Sequence, residues 1–595
     1  MFLSFCQRPS WSNYTLLFAK TQFFNRWNLF FICPLDRFSS RQYLQPNVRQ
    51  VSTQRIYASN VQIGALVRAG NLEVARQVFD RMPKRDVVSW NAIFTGYWQN
   101  GLFEESKRLF DLMPLKNVIS WNSMIAGCVQ NDRIDEAYQY FTKMPERNTA
   151  SWNAMISGFV RYGRIEEAKR LFEEMPQRNV ISYTTMIDGY TQIGEIERAR
   201  ALFDSIRRKN DVSWLVMISG YIENDMFVDA RALFDLMPEK NVVAITAMIT
   251  GYCKEGKMGS ARILFDEIQH KDLVSWNAMI AGYAQNGDGE EALKLHSQML
   301  KMGIKPDHST FVSLLTACSS LPSLKEGREI HLVVVKSGFE SDISICNILI
   351  TMYSKCGSIS DSEIVFGLIN CPDIVSWNAI IAGYAQHGHY EKALGLFHEM
   401  ELNGIKPDGI TFLTVLSACD HSGKVKESIE WFNTMRNVYE IAPRAEHYAC
   451  LVDILSRAGQ LDEAYKIIQQ IPFEADARVW GPLLAACRVH LNVELGEIAA
   501  NELVKLEPQN SGAYIMLSNI YAAAGMWGDV TRMRGLMKEQ GVKKQPGYSW
   551  IEVANKVHSF SGGDISHPEI GKIHLQLQRI GLQMKMFYGC EDIET

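Results

Sequence analysis

The stretch LVSWNAMIAGYAQNGDGEEALKLHSQMLKMGIKPD, residues 273–307, decides the fold, because it is one copy of a unit that recurs from Ile56 to about Lys544. Self-similarity on this scale is the signature of a stacked solenoid. Trp276, Met279, Ile280 and Tyr283 fall at helical spacing, and Ala292, Leu295 and Met299 do the same in the second half. That pattern predicts two amphipathic helices. Gly287 and Gly303 suit the left-handed residue that closes each one, Ser275 reads as an N-cap for the first, and Pro306 cannot continue the second. The unit is a helical hairpin with polar loops.

Working outward, the chain has 595 residues with 47% hydrophobic and 21% charged side chains, values that exclude a largely disordered polymer and fit a long repeat array. No uninterrupted apolar run approaches the roughly 18–20 residues a bilayer crossing needs, so no membrane partner is expected. Residues 1–55 hold seven basic residues, Arg8, Lys20, Arg26, Arg37, Arg41, Arg49 and Arg55, against one acid, Asp36. With interspersed Ser and aromatics, this reads as an organelle transit peptide or disordered leader, for the mitochondrion ahead of the chloroplast. The whole chain carries a formal charge of −5, so the part beyond this leader is more acidic still. Bulk charge therefore cannot hold a polyanion, and any nucleic-acid function must rest on local side-chain geometry. None of the twelve cysteines forms a C-x-x-C pair. Cys128, Cys318, Cys419 and Cys487 take the eleventh position of their units, where Tyr97, Tyr190 and Tyr283 stand in others, as packing residues would.

Counted from the residue matching Leu273, seven units of 31 residues run 56–86, 87–117, 118–148, 149–179, 180–210, 211–241 and 242–272. Six of varied length follow at 273–307, 308–342, 343–373, 374–408, 409–444 and 445–476. The short form is ascribed to Met-Pro steps at 82–83, 113–114, 144–145, 175–176 and 237–238, where proline should end the second helix early. The twentieth position is always small, from Ala75 to Ala464, so the two helices must approach closely there. Four residues later most units carry an aromatic, such as Phe79 or Phe265, and His296 and His331 in that slot read as packed histidines. Trp90, Trp121, Trp152, Trp214, Trp276 and Trp377 at the fourth position could stack on bases. Tyr183, Ile245, Phe311 and Cys346 replace them elsewhere, which favours helix packing.

The fifth position breaks the apolar logic. Asn60, Asn91, Asn122, Asn153, Thr184, Thr246, Asn277, Asn347 and Asn378 place a short polar side chain early in the first helix, where Asn is a poor choice without a capping role or an outside partner. The last residue of a unit is likewise Asp or Asn at Asp86, Asn117, Asn148, Asn179, Asn210, Asn241, Asp272, Asp307, Asp342, Asp373 and Asp408. N-capping would select these too. It explains the last position well and the alternation of Asn with Thr at the fifth poorly. One such pair per unit can instead match the donor and acceptor edge of one unpaired base.

At these residues, and through unit after unit of V-S-W-N-A-x-I-x-G-Y and E-E-A-x-x-L-F, the chain resembles the pentatricopeptide repeat family, in its plant subgroup of mixed repeat lengths. The resemblance implies an all-α fold: a right-handed superhelical solenoid of stacked helix-turn-helix repeats, thirteen of them over 56–476, with a small mixed C-terminal extension. In that family the fifth and last residues choose the base, read 5′ to 3′ along single-stranded organellar RNA. Asn60/Asp86, Asn277/Asp307, Asn347/Asp373 and Asn378/Asp408 then imply U. Asn91/Asn117, Asn122/Asn148 and Asn153/Asn179 imply a pyrimidine, Thr184/Asn210 implies A, and Thr246/Asp272 implies G. Leu215, Val312, Leu413 and Ala449 leave their bases unassigned, and the readable target is U-Y-Y-Y-A-N-G-U-N-U-U.

Residues 477–544 keep a two-helix pattern without the fifth-position residues and resemble two E motifs, while PGYSWIEV at 546–553 and KVHSFSGGDISHPEI at 556–570 resemble the extension after them, spanning 545–595. Some relatives continue into a cytidine-deaminase-like domain, which needs H-x-E and a later C-x-x-C to hold zinc. His567-Pro568-Glu569 matches the first element, but only Cys590 follows it, and no Walker A loop, G-x-S-x-G or H-E-x-x-H is present. No catalytic residue, metal or cofactor is expected. The resemblance implies a site-recognition factor for C-to-U RNA editing whose E-type tail recruits a DYW-type deaminase, with other editing factors, in trans. Organellar splicing, stability or translation, and a tetratricopeptide-like protein scaffold, are the competing readings.

Overall fold

The computed structural model describes residues 48–321, 324–542, 548–553, 556–561 and 567–588. Its polypeptide divides into two compact units, Met1–Gly282 and Tyr283–Thr595. In the first, 13-residue helices such as Val87–Gln99, Val118–Gln130 and Thr149–Arg161 alternate with 10-residue helices such as Phe103–Leu112, Ile134–Lys143 and Ile165–Glu174. The second continues the alternation from Gly289–Lys301 to Trp527–Glu539. It then adds an antiparallel pair of strands, Tyr548–Val553 and Lys556–Ser561, in which Trp550 faces Ser559, and a helix Ile570–Tyr588. No helix among the described residues is long and apolar enough to cross a membrane.

Two boundaries differ from the sequence reading. The opening helix runs Val48–Arg68, so it starts eight residues before the expected unit boundary at Ile56, inside the span read as leader, while residues 1–47 of that leader lie outside the described residues. Ser275 is not the N-cap of its helix, which begins at Leu273. Asp272 accepts the Ser275 amide at 2.9 Å, and the Asp or Asn that ends a unit caps the first helix of the next in the same way, while Arg444 makes no such side-chain bond. The inter-helix turns do use left-handed residues as expected, with φ of 83° at Gly287 and 76° at Gly303.

Packing within a hairpin depends on the small twentieth residue. Ala75, Ala137, Ala230 and Ala261 are fully buried, and where Ser106 takes the place its hydroxyl donates to the Phe94 carbonyl at 2.8 Å. Between hairpins, the aromatic four residues later meets the fourth residue of the next unit edge-on. Phe79 and Trp90 lie 4.9 Å apart between ring centroids, Phe172 and Tyr183 5.4 Å, Phe265 and Trp276 5.0 Å, and Phe366 and Trp377 4.8 Å. Trp276 and Trp377 are buried, and the half-buried Trp90, Trp121, Trp152 and Trp214 each pack on a phenylalanine of the unit before. Successive first helices touch at Gly158, where an added Cβ would lie 2.9 Å from Val129 Cγ2 and 3.0 Å from Ile134 Cδ1. His296 is buried, and His331 hydrogen-bonds the Tyr353 hydroxyl at 2.8 Å, as packed histidines do. Cys128, Cys318, Cys419 and Cys487 are fully buried and burial pushes their thiols up to about 12, which makes them inert packing groups.

Proline does not set the short repeat length. Units 180–210 and 242–272 have no Met-Pro step, yet their second helices stop at Ser205 and Glu267 with the same extended residue after them. Ile206 has φ −70° and ψ 111°, against −66° and 119° at Met113. Two other interactions end these helices. The residue at the stop is driven into the core, with Met113, Met144, Ile206 and Ile268 at 2–4% exposure. A basic side chain three residues on then closes the last turn. Arg147 donates to the Phe141 and Thr142 carbonyls at 2.8 Å each while its guanidinium lies 4.8 Å over the Phe141 ring, and Lys271 caps the Ile268 carbonyl at 2.7 Å, 5.0 Å over Phe265.

At the turn matching Gly287, residue Leu491 sits at φ 54° with its side chain 60% exposed. A left-handed leucine costs about 1 kcal/mol that glycine avoids. Leu491→Gly is expected to raise stability by about that much in urea unfolding followed by circular dichroism; a neutral or destabilising result would contradict the strain.

Candidate nucleic-acid interface

The fifth residue sits in the first two turns of each first helix and the last residue at the N-cap of the next, so the stacking of hairpins brings them together. Asn60 Nδ2 donates to Asp86 Oδ1 at 3.2 Å, Asn122 to Asn148 at 3.4 Å and Asn153 to Asn179 at 3.2 Å. In the second compact unit Asn347 donates to Asp373 and Asn378 to Asp408, both at 3.2 Å. Asn91 and Asn117 are not joined by such a bond, although Asn117 caps Ser120 at 2.9 Å. Thr184 and Thr246 turn their hydroxyls to their own helix, donating to the Ile181 and Val242 carbonyls at 3.0 and 2.8 Å, away from Asn210 and Asp272. Asn277 lies on helix Leu273–Gln285, and Asp307 caps His308–Ser320.

The last residue is thus an N-cap and a partner of the fifth residue through the same atom. Asp86 Oδ1 accepts the Ser89 amide at 2.8 Å and the Ser89 hydroxyl at 2.7 Å besides the Asn60 amide. Asp86, Asn148, Asn179 and Asp373 are exposed, so the second carboxylate oxygen of Asp or the amide nitrogen of Asn is the atom left for an outside partner. Capping and an outward polar atom coexist, so capping alone did not exhaust the position. Burial works to raise the carboxyls of Asp86, Asp373 and Asp408, but the hydrogen bonds from Ser89, Ser376 or Thr411 and from the paired Asn outweigh it and hold all three below the usual range. On the fifth residue the opposite imbalance holds. The Oδ1 atoms of Asn60, Asn91, Asn122, Asn347 and Asn378 are buried and accept no hydrogen bond. An unsatisfied buried acceptor at one recurring position is costly, and a donor from outside the chain would relieve it.

Sequence reasoning missed the neighbours of these pairs. The second residue of the unit lies three before the fifth on the same helix face, and it is an exposed aliphatic: Val88 at 46%, Ile119 at 55%, Val375 at 54% and Ile410 at 57%. Its place off the core stripe was the available signal. The polar residues Asn91, Asn122 and Asn378 thus have apolar surface beside them, whereas Ala150 and Ser344 precede Asn153 and Asn347, and Ile410 precedes Leu413. At the other end of the chain, His567 of the H-x-E match contacts His558 through Nε2 at 2.8 Å and accepts the Glu569 amide through Nδ1 at 3.2 Å. Among the described residues no group of three or more His, Cys, Asp or Glu is placed to hold a metal ion.

Comparison with known proteins places these repeats. The profile described as PPR repeat matches residues 60–87, 88–118, 119–149, 150–180, 181–211, 212–242, 243–273 and 446–472, the PPR repeat family profile matches 271–320 and 372–421, and the E motif profile matches 490–552. A mitochondrial pentatricopeptide repeat-containing protein of Arabidopsis thaliana is 43% identical over 290 residues, 49% of this chain and 41% of its own length. A chloroplastic one from the same plant is 44% identical over 296 residues, 50% and 35% of the two chains. The chain therefore spans less than half the length of these curated relatives. Among solved structures, the pentatricopeptide repeat protein PPR10 from maize overlaps 84% of this chain and 81% of its own at 20% identity, with a TM-score of 0.44.

The depressed carboxyls give a sign for pH dependence. Their contribution to stability is complete above the ordinary aspartate value of 3.8 and is lost as pH falls below it. A double variant, Asp373→Asn with Asp408→Asn, keeps the caps without the titration. Thermal midpoints at pH 7, 5, 4 and 3 are expected to show the native chain losing ground to the variant only in the acid steps; parallel curves would refute the shift.

Proposed function

Because the chain belongs to the pentatricopeptide repeat family, we propose that it is a sequence-specific single-stranded RNA-binding protein of an organelle, each repeat offering its fifth and last residues to one base. The observation that carries this reading is the recurring pair itself. Its members hold one another at 3.2–3.4 Å in five units, and in those of Asn122 and Asn378 an exposed aliphatic, Ile119 or Val375, stands three residues before the Asn. A base needs both features, an edge partner and a flat apolar contact. The overall charge of −5 argues the same way, since attraction to phosphates alone would not secure binding.

The assignments follow as part of the proposal: U at the four Asn/Asp units, a pyrimidine at the three Asn/Asn units, A at Thr184/Asn210 and G at Thr246/Asp272. The match to an E motif at 490–552 supports a role in C-to-U editing, with the deaminase supplied by another polypeptide. The basic composition of residues 1–55 supports the mitochondrion as destination, and the named relatives include both mitochondrial and chloroplastic proteins. Comparing organelle cDNA with genomic DNA in plants with and without the protein tests the editing role: a cytidine left unconverted on loss is expected. A change confined to transcript abundance or processing would move the function to splicing or stability.

Binding tests the recognition. The full chain is expected to prefer an RNA of the order U-Y-Y-Y-A-N-G-U-N-U-U over its scrambled form. Thr246→Asn should move the preference of that repeat from G toward U and weaken the original RNA by about 1–3 kcal/mol. Equal affinity of native chain and variant for both RNAs would remove the assignment.

A further inference from the structure

Resting on the reading just given, we propose that the hydroxyl residue at the third position of the following unit is the positioning residue of each base-reading pair. It does not face the base, and it sets which atoms of the pair do. Two independent regularities within this one chain point to it.

The first is in the sequence. After each of the nine units whose fifth residue is Asn or Thr, the next unit has Ser or Thr at its third position, as with Ser89 after Asn60, Ser182 after Asn153 and Thr411 after Asn378. After the four units whose fifth residue is Leu215, Val312, Leu413 or Ala449, that position is Ala244, Ile345, His447 or Val479. The hydroxyl does close a capping box in the Asn units, accepting the backbone amide of Asp86 at 3.3 Å, of Asn179 at 3.2 Å and of Asp408 at 3.1 Å, but capping alone does not account for it, since Ser213 follows Thr184 without making one. Asn241 still accepts the Ala244 amide at 2.9 Å with no hydroxyl present, and at Asp342 the donating hydroxyl comes from Ser344, one position earlier, while Ile345 supplies only its amide at 3.1 Å. The hydroxyl accompanies a polar fifth residue, where a cap alone would not need it.

The second is in the geometry. Where the fifth residue is Asn, the hydroxyl donates to the side chain of the last residue: Ser89 to Asp86 Oδ1 at 2.7 Å, Ser376 to Asp373 Oδ1 at 2.8 Å and Thr411 to Asp408 Oδ1 at 2.9 Å. Where it is Thr, the hydroxyl turns to the backbone carbonyl of the last residue: Ser213 to Asn210 O at 2.7 Å and Ser275 to Asp272 O at 2.8 Å. Its rotamer follows the identity of the fifth residue, which belongs to the preceding unit.

The physical reason is a matter of donors. Oδ1 of the last residue receives the backbone amide and the Asn amide, so the inward atom must be an acceptor and the outward atom is settled by residue type: Oδ2 for Asp, Nδ2 for Asn. The hydroxyl proton adds a third donor, and it can also serve the otherwise unsatisfied Oδ1 of the Asn. In unit 149–179 it reaches both, with Ser182 Oγ 2.9 Å from Asn179 Oδ1 and 2.8 Å from Asn153 Oδ1. Asn153 and its partner then have one arrangement, with neither amide free to flip. Removing the hydroxyl leaves the Ser182 amide on Asn179 Oδ1, takes the acceptor from the Asn179 amide and frees the Asn153 amide to present either face, so that discrimination falls with the loss of one capping bond.

The test uses the full chain with Ser182→Ala and Ser182→Thr, against four RNAs that differ only in the base opposite unit 149–179. Ser182→Ala is expected to lower the pyrimidine-over-purine affinity ratio at that base by about fivefold, the worth of one net hydrogen bond. Ratios at other positions should stay unchanged, the thermal midpoint should fall only slightly for the lost half of the capping box, and Ser182→Thr should restore both midpoint and ratio, since Thr310 and Thr411 hold the equivalent place elsewhere. An unchanged ratio in Ser182→Ala, with the native chain discriminating, overturns the positioning role alone. A native chain that discriminates at no base, with Thr246→Asn equally silent, overturns the reading on which it rests.

Discussion

Each hairpin here depends on the next for its core. Phe79 has no ring to meet in its own unit and closes instead on Trp90, as Phe265 does on Trp276. The small residue at the twentieth position lets the two helices of a hairpin approach, but the pair still has an apolar face that only a neighbour can cover. Stacking is therefore a condition of folding, and the register between units is set by aromatic contact. That register also places the last residue of one unit over the fifth residue within it, because the last residue is bound to the first turn of the following helix. The candidate interface is a by-product of the packing that makes the chain fold.

Much of this was legible in the sequence because it rests on period. Spacing of Trp276, Met279, Ile280 and Tyr283 fixes a helix face, and recurrence of Ala or Ser at one phase fixes the close approach. The odd polar residue in an apolar helix, Asn60 or Asn378, was visible against that background. What escaped was decided atom by atom. Ser275 looks like a cap because Ser is a good one, yet Asp272 precedes it and has the better-placed acceptor. Proline at 114 or 145 looks like the reason a helix stops, until Ile206 and Ile268 stop theirs in the same way without it. Composition cannot say which of two adequate causes acts.

The exposed aliphatics at Val88, Ile119 and Val375 were overlooked for a related reason. In a strongly apolar helix one more valine is unremarked, and only its angular distance from the core stripe gives it away. The hydroxyls of Ser89 and Ser182 were equally plain in the sequence, but their significance lies in direction, which letters do not carry.

The basic residue that closes each short second helix has a consequence for how the chain would meet a polyanion. Arg147 and Lys271 lie over phenylalanine rings and spend their donors on carbonyls, while Arg164 and Lys107 join acids on neighbouring hairpins at 2.6 Å. Cations committed in this way have little left to exchange for condensed counterions. Under the proposed reading, a strand bound by this array would gain little from the salt it displaces, and a mismatched sequence would find little else to hold it.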